Sequence, residues 1–151
     1  MALMKSTAAA LVLAATTPAF AADTYVLDAS HSQIVFSYDH LGFSTNWGMF
    51  SGFEGEIMFD EEDPAASSVN VSFPVRSMLT GWEARFEHFM SEDFFGAGEG
   101  DMVTFASTGI EVTGDNTAMI TGDLTMNGKT QEETFEVTMR KLAPSPFGEK
   151  L

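Results

Sequence analysis

The stretch HLGFSTNWGMFSGFEG, which runs from His40 to Gly55, combines bulky aromatic rings with residues that have no side chain. It contains three Phe, one Trp and four Gly residues. Glycine inside strand-like sequence marks a bulge, a bend or the close approach of another group. The wall of a β-barrel needs such bends in order to curl. The stretch therefore predicts a curved sheet around an apolar interior, which is either filled by side chains or hollow.

Apolar and polar residues alternate in several segments on both sides of this stretch. Val69, Val71 and Phe73, for example, alternate with Asn70 and Ser72. A period of two with one apolar face is typical of antiparallel sheets that are wetted on one side. The alternating segments are 34–40, 53–59, 69–73, 120–126 and 135–139.

Turn signals separate these segments, and one helix interrupts them. Asn127-Gly128 between two alternating runs is a strong hairpin signal, and Thr113–Asn116 is a second predicted turn. Helical crossovers are not indicated, which favours a meander or an up-and-down barrel of about seven strands. Apolar side chains at a helical spacing from Trp82 to Met90 predict a short amphipathic helix, about 81–90.

The N-terminus has the features of an export signal. Lys5 precedes the apolar run Ala8–Ala15, and Ala19 and Ala21 form an A-x-A cleavage site. The apolar run is far shorter than the roughly 20 residues that span a bilayer. We therefore expect residues 1–22 to be a cleaved signal peptide and residues 23–151 to form one exported domain.

Composition excludes several classes of function. The chain has 22 acidic and 7 basic residues, a formal net charge of −15, so nucleic acid is not an expected partner. It has no cysteine, which rules out disulfides, thiolate chemistry, cysteine metal sites and c-type haem attachment. Histidine spacings match no familiar zinc motif and no G-x-S-x-G occurs, so we expect no catalytic site, metal or cofactor.

Four ordered blocks give the chain a resemblance to a known family. They are DASHSQIVFSYDHLGFS (28–44), GMFSGFEGEIMFD (48–60), RFEHFMSEDF (85–94) and TGDLTMNGKT (121–130). In these blocks the chain resembles the YceI family, from Tyr25 to about Gly148. The resemblance implies a lipocalin-like antiparallel β-barrel with a hydrophobic cavity. It further implies binding of polyisoprenoid lipids, including isoprenoid quinones, in the bacterial periplasm.

The chain departs from the family pattern at three places. Asp101-Met102 replaces the usual Tyr-Pro, Glu92 replaces a small residue, and the family continues with further strands beyond PSPFGEKL. A barrel without these strands has an open edge near residues 131–142, and open edges favour pairing with another chain. Three alternatives stay open: the barrel closes differently, a partner such as a second copy completes it, or the sequence is a fragment.

Apolar residues on the inward faces are the candidates for the lipid cavity. From composition alone a filled core is the more frequent outcome for a small barrel, whereas the resemblance implies a hollow one. The candidates are Ile34, Phe36, Tyr38, His40, Phe53, Ile57, Val71, Phe73, Phe89, Leu124, Phe135 and Val137.

A polar cluster around the predicted helix has two interpretations. Arg85, His88 and Asp93 contact a lipid head group, or they form a buried ion pair and cap that hold the helix across the barrel end, which is the preferred interpretation for Arg85 and Asp93. The function predicted from all these features is a non-catalytic periplasmic carrier of an isoprenoid lipid or quinone. The alternative is a structural or interaction module with a filled barrel, accessory to a periplasmic or membrane redox partner, as the family's association with membrane b-type cytochromes implies.

Overall fold

The computed structural model describes residues 22–144. Most of the predicted signal peptide lies outside this range, so its cleavage stays a prediction. Eight strands, one α-helix and two short 3-10 helices occur within the range. In chain order they are β1 (Asp23–Val26), β2 (Ile34–His40), β3 (Ser44–Phe50), β4 (Glu54–Phe59), a 3-10 helix (Pro64–Ala66), β5 (Ser68–Pro74), a 3-10 helix (Val75–Ser77), α1 (Glu83–Met90), β6 (Met102–Gly114), β7 (Thr117–Met126) and β8 (Lys129–Thr138).

All strand pairs are antiparallel, and six strands form one sheet. Its order is β1-β4-β5-β6-β7-β8, so β1 and β8 are its two outermost strands. Strands β2 and β3 form a separate hairpin. This hairpin is joined to the rest of the chain by two backbone hydrogen bonds between Met49 and Leu79, of 3.0 and 2.7 Å.

The β6–β7 and β7–β8 hairpins close through the turns that the sequence predicts, whereas the turn between β2 and β3 was not predicted. Asn127 and Gly128 between β7 and β8 both have positive φ, 51° and 68°, as a two-residue type I′ hairpin turn requires. The longest strand, β6, shifts its register against β7 between Ser107 and Gly109 and again between Val112 and Gly114. Irregularities of this kind increase the local twist and bend the sheet.

The core is an aromatic cluster at the helix end of the sheet. Phe73 on β5 lies 4.6 Å from Phe53 and 5.1 Å from Phe50, measured between ring centroids. From the helix, Met90 is buried and Phe86 and Phe89 pack against the cluster. The amphipathic pattern of α1 thus places its apolar side chains over this end of the sheet.

The all-β antiparallel fold with one short helix is confirmed. The helix begins at Glu83 rather than near residue 81. Eight strands are present within residues 22–144, against about seven expected. The alternation did not reveal β1, which has only four residues, or β6, whose register shifts interrupt the period.

Candidate functional site

An apolar cavity of about 520 Å³ lies at the end of the six-stranded sheet away from the helix. Its lining is mostly aliphatic and aromatic, and it is partly open to solvent. Val26 and Val112 at its rim are 73% and 49% exposed. The lining residues are Tyr25, Val26, Leu27, Asp28, Ile57, Phe59, Pro64, Ser67, Val69, Ile110, Val112, Gly114, Asp115, Asn116, Thr117, Ala118, Ile120, Val137, Thr138, Met139 and Leu142.

Strand direction explains the position of the cavity. Phe59 is the last residue of β4, Val69 is near the start of β5, and Thr117 begins β7. The opposite ends of these strands lead to the aromatic cluster: Phe73 is near the end of β5, next to the helix side. One end of the sheet is therefore filled by rings and covered by α1, and the other end is hollow.

Cross-strand register assembles the cavity wall. Ile57 pairs with Tyr25 on one side and with Val69 on the other, so the three side chains share one face. Across the sheet, Ile110 on β6 pairs with Ile120 on β7. Directly paired residues point to the same face of a sheet, so these rows form a continuous apolar surface.

Asp28 is a hydrogen-bonded acidic residue of the cavity lining. Its carboxylate accepts hydrogen bonds from the Ser30 hydroxyl (2.6 Å) and the Ser30 backbone N–H (2.9 Å), and it lies 2.6 Å from His31 Nδ1. These bonds, first of all that from the Ser30 hydroxyl, lower the pKa of Asp28 from 3.8 to about 2. Asp28 is therefore a fixed negative charge at the rim.

The sequence Asp28–Ser30–His31 is not arranged as a catalytic triad. The Ser30 hydroxyl and the Asp28 carboxylate both approach the same imidazole nitrogen, Nδ1, at 3.0 and 2.6 Å. A triad requires the serine on the other nitrogen, so that a proton can pass from serine to histidine while the aspartate orients the ring. These hydrogen bonds form a turn.

The predicted cavity residues fall into two groups. Ile57 and Val137 line the cavity. Phe53 and Phe73 are buried in the aromatic cluster, and other candidates pack beside it or remain more exposed. The residues packed against the cluster are Phe36, Phe89 and Leu124. Tyr38 contacts the Phe89 ring, and Phe135 contacts the Phe105 ring. Val71 is half-buried, whereas Ile34 and His40 are exposed. Lipid contact by any of them stays a prediction.

One glycine of the opening stretch provides space for a ring. A Cβ atom on Gly48 would overlap the ring of Phe36, which lies over this glycine from the paired position on β2. On β7, a Cβ atom on Gly122 would overlap the backbone carbonyl oxygen of Ala106 and the ring of Phe105. The gap left by the missing side chain is therefore filled at both sites, and the space does not contribute to the cavity.

The polar cluster on the helix lies in the filled half of the molecule. The Arg85 side chain donates a hydrogen bond to the carbonyl oxygen of Thr80 (3.1 Å) and lies over the Trp82 ring at 5.8 Å. His88 Nε2 is 3.6 Å from the Asp93 carboxylate, and both side chains are mostly exposed. Arg85 therefore holds the segment that precedes the helix, and Asp93 lies exposed beside His88. The prediction of a buried ion pair was wrong, because Arg85 bonds to a backbone carbonyl and the Asp93 side chain stays in contact with solvent.

Two negative observations apply to residues 22–144. No helix in this range is long and apolar enough to cross a bilayer. The same part of the chain contains no group of three His, Asp or Glu side chains that could hold a metal ion.

Most residues of the cavity wall are not recognisable from the sequence pattern. Ile110 and Val112 alternate with Glu111, but this signal spans only a few residues of a long irregular strand. Ile120 lies in a recognised alternating segment and was not selected, because the sequence does not distinguish the two ends of a barrel. Tyr25 and Leu27 belong to the region of β1, whose four residues are too few for a periodic signal.

Comparisons with known proteins agree on one family. Residues 25–148 match the YceI-like domain. The chain is 40% identical over 151 residues to a UPF0312 protein of Ectopseudomonas mendocina, covering 97% of this chain and 78% of that protein. It is 39% identical over 134 residues to protein YceI of Escherichia coli O157:H7, covering 87% of this chain and 69% of that protein.

Solved structures agree with the sequence comparison. BcnA of Burkholderia cenocepacia is similar with a TM-score of 0.67 and 26% identity, over 78% of this chain and 72% of that chain. A YCEI protein of Campylobacter jejuni is similar with a TM-score of 0.63 and 26% identity, over 83% and 74%. These neighbours confirm the lipocalin-like barrel class that the sequence predicts.

Proposed function

This chain belongs to the YceI-like domain family, and on that premise we propose that it is a non-catalytic carrier that holds an isoprenoid lipid or isoprenoid quinone in its apolar cavity. The observation that supports the proposal is the cavity of about 520 Å³ with its nearly continuous apolar wall. Buried apolar surface contributes about 25 cal/mol per Å². A polyisoprenoid tail offers such surface along its whole length, so an apolar wall is sufficient for affinity.

The size of the cavity sets the part of the ligand that it encloses. A methylene group is similar in size to a water molecule, which occupies roughly 30 Å³ of liquid, so about 17 such groups fill the cavity, or roughly three five-carbon units. A longer tail would extend through the open side. Neutral polar residues of the lining, such as Asn116 and Thr138, are in this proposal the contacts of the head group.

The site of action in this proposal is the bacterial periplasm. It is supported by the predicted signal peptide and by the family resemblance. Cell fractionation should recover the protein with periplasmic markers, and N-terminal sequencing of the mature chain should begin near Asp23. Recovery in the cytoplasm with an intact N-terminus would contradict this part of the proposal.

Native mass spectrometry of protein purified from its host tests the ligand. We expect a bound species of isoprenoid mass, which organic extraction removes and added isoprenoid restores. Protein that is consistently empty and that rejects added isoprenoids would overturn the proposal.

Filling the cavity is the matching mutational test. Ile120→Trp places a large ring in the cavity and should lower isoprenoid binding at least tenfold, because the lost volume is a substantial part of the total. Met119→Trp is the control, since Met119 precedes Ile120 on β7 and faces the other side of the sheet. Equal binding by both variants would place the ligand elsewhere.

A second candidate function rests on the filled half of the molecule. Phe36, Phe50, Phe53 and Phe73 interlock beneath the helix. If the cavity half also collapses in solution, the domain is a structural or interaction module that accompanies a redox partner. In that case Ile120→Trp would change stability without any effect on lipid, because no lipid would bind to the unmodified protein.

Association with a second copy through the sheet edge is a further proposal about partners. β8 is an outermost strand of the six-stranded sheet, and edge strands offer backbone groups for pairing. However, β8 carries Glu132, Glu133 and Glu136. These carboxylates oppose the close approach of an identical strand, so we expect pairing to be weak at low ionic strength.

A further inference from the structure

We infer that Asp28 and Asp115 determine the head-group specificity of the cavity: they admit isoprenoids with an uncharged head and exclude those that end in a phosphate. This inference rests on the proposed function and adds a discrimination that an apolar wall alone does not supply. Both aspartates are among the lining residues, and within residues 22–144 they are the only charged residues of the lining.

The two carboxylates lie in different loops at the same end of the sheet. Asp28 follows β1, and Asp115 lies in the turn between β6 and β7. The Asp28 carboxylate is held in place by Ser30 and His31. It stays ionised at any physiological pH, because the same hydrogen bonds hold its pKa at about 2. A ligand head that reaches the rim therefore lies near two acidic residues from separate loops.

The neighbouring surface adds to this field. Four consecutive acidic residues, Asp60 to Asp63, come immediately before Pro64, which lines the cavity. The carboxylate of Asp60 accepts hydrogen bonds from the backbone N–H groups of Glu62 and Asp63, at 2.9 and 3.0 Å, which fixes this loop. Charges of one sign around a cleft with apolar walls concentrate the electrostatic potential inside it.

The basic residues near the rim are outnumbered. Arg140 and Lys141 lie between the lining residues Met139 and Leu142, but neither lines the cavity and both are exposed. Water and salt screen these two cations and the exposed carboxylates alike, so the larger number of carboxylates decides the sign of the potential at the rim. Because Arg140 and Lys141 do not line the cavity, they do not provide the convergent, desolvated donors by which proteins bind phosphate groups.

A phosphate is an unfavourable head group in such a site. A phosphate monoester carries about −1.5 to −2 charges at pH 7, and each nearby carboxylate repels it. An alcohol or quinone carbonyl has no such cost, and the neutral rim groups Asn116, Thr117 and Thr138 can hydrogen-bond with it. The cavity thus selects for the absence of charge rather than for a particular uncharged head.

A matched pair of ligands tests the inference. Farnesol and farnesyl phosphate share one tail and differ in head charge, and each can compete with the neutral dye Nile red for the full-length mature protein. We expect farnesyl phosphate to bind at least tenfold more weakly than farnesol at low salt. The difference should shrink in 0.5 M KCl, because salt screens exposed charges.

Variants assign the effect to the two residues. Asp115→Asn should reduce the discrimination several-fold, and the double variant with Asp28→Asn should reduce it further. Asp123→Asn is the control: Asp123 is an exposed aspartate on β7 that does not line the cavity, and its loss should leave the ratio unchanged. If Asp28→Asn fails to fold, the effects of Asp115→Asn and of salt on the ratio of farnesol to farnesyl phosphate binding still test the inference.

The outcomes separate the two proposals. Equal competition by farnesol and farnesyl phosphate, or a ratio that Asp123→Asn changes as much as Asp115→Asn, overturns the inference and leaves the lipid-binding function standing. If neither ligand displaces the dye and native mass spectrometry finds no lipid, the proposed function fails, and the specificity inference fails with it.

Discussion

At the scale of single residues, Gly48 and the Phe36 ring act as a pair. Gly48 is buried because the Phe36 ring covers it from the neighbouring strand. The ring occupies the volume that a Cβ atom on Gly48 would need. The glycine therefore permits tight packing between β2 and β3 beside the aromatic cluster.

Gly48→Ala tests this pairing. The added methyl group overlaps the Phe36 ring, which must shift within a packed cluster, so we expect a loss of about 1–3 kcal/mol in the free energy of unfolding. Gly109→Ala is the control, because a Cβ atom on Gly109 meets nothing within 4 Å and its φ is not positive. Urea denaturation measures both. A loss in Gly109→Ala as large as in Gly48→Ala would contradict this explanation.

The Asp28 turn gives a prediction about pH. Because the folded pKa, about 2, lies below 3.8, the hydrogen-bonded carboxylate stabilises the fold above pH 3.8, and this contribution is lost as the pH falls through about 2. Ser30→Ala should raise the pKa of Asp28 towards 3.8 in a carboxyl NMR titration. Ser32→Ala should not, because its hydroxyl donates to the backbone carbonyl of Asp28. An unchanged pKa in Ser30→Ala would show that the Ser30 hydroxyl is not the main cause.

At the scale of elements, the turn between β2 and β3 contradicts local preference. Leu41 has a φ of 58°, a region that suits glycine or asparagine, and its side chain is 79% exposed. The turn is held by the Asp39 carboxylate, which accepts a hydrogen bond from the Gly42 N–H (2.6 Å), and by the Phe43 N–H bonded to the His40 carbonyl (3.0 Å). Hydrogen bonds around Leu41 thus impose a conformation that its own side chain disfavours.

Leu41→Gly should therefore stabilise the protein. The left-handed conformation costs a non-glycine residue roughly 1–2 kcal/mol, and glycine's larger unfolded-state entropy offsets part of the gain. We expect a net increase of up to about 1 kcal/mol in the free energy of unfolding, visible as a higher Tm. Phe43→Gly is the control, since Phe43 is equally exposed but has no positive φ, and it should lower the Tm. A lower Tm in Leu41→Gly would contradict the explanation that the positive φ of Leu41 destabilises the protein.

At the scale of the whole molecule, charge and sheet edges act against each other. The outer strand β8 offers backbone hydrogen bonds to another strand, but the chain carries a formal net charge of −15 and three glutamates on β8 itself. Repulsion between two copies is screened over about 10 Å at 0.1 M salt and over shorter distances at higher salt. We therefore expect ionic strength to control the pairing proposed for this edge.

Sedimentation velocity in 0.02 M and 1 M NaCl measures this balance. We expect a monomer at low salt and a larger dimer fraction at high salt. Replacing Glu132 and Glu136 with Gln should raise the dimer fraction at low salt towards its value at high salt. The same changes at Glu61 and Glu62, which lie away from β8, should raise the dimer fraction less. A dimer that salt dissociates would instead indicate an interface held by ion pairs.

Local sequence determined the elements of this fold and their antiparallel arrangement. Alternation with a period of two, the Asn127-Gly128 turn and the amphipathic segment ending at Met90 each act over a few residues, so each can be recognised without knowing the rest of the chain. The four family blocks can also be recognised from the sequence alone, because each is a pattern of residues along the chain.

Tertiary structure alone decided which apolar residues enclose space. Ile57 and Phe73 have the same pattern along the sequence, yet Ile57 lines the cavity and Phe73 is buried among rings. The difference arises from what lies opposite each of them: α1 and its neighbouring rings cover one end of the sheet, and no such cover lies over the other end within residues 22–144. An alternating pattern records only which face of a strand is apolar, and position along the barrel axis depends on strand register and on contacts between residues far apart in the chain.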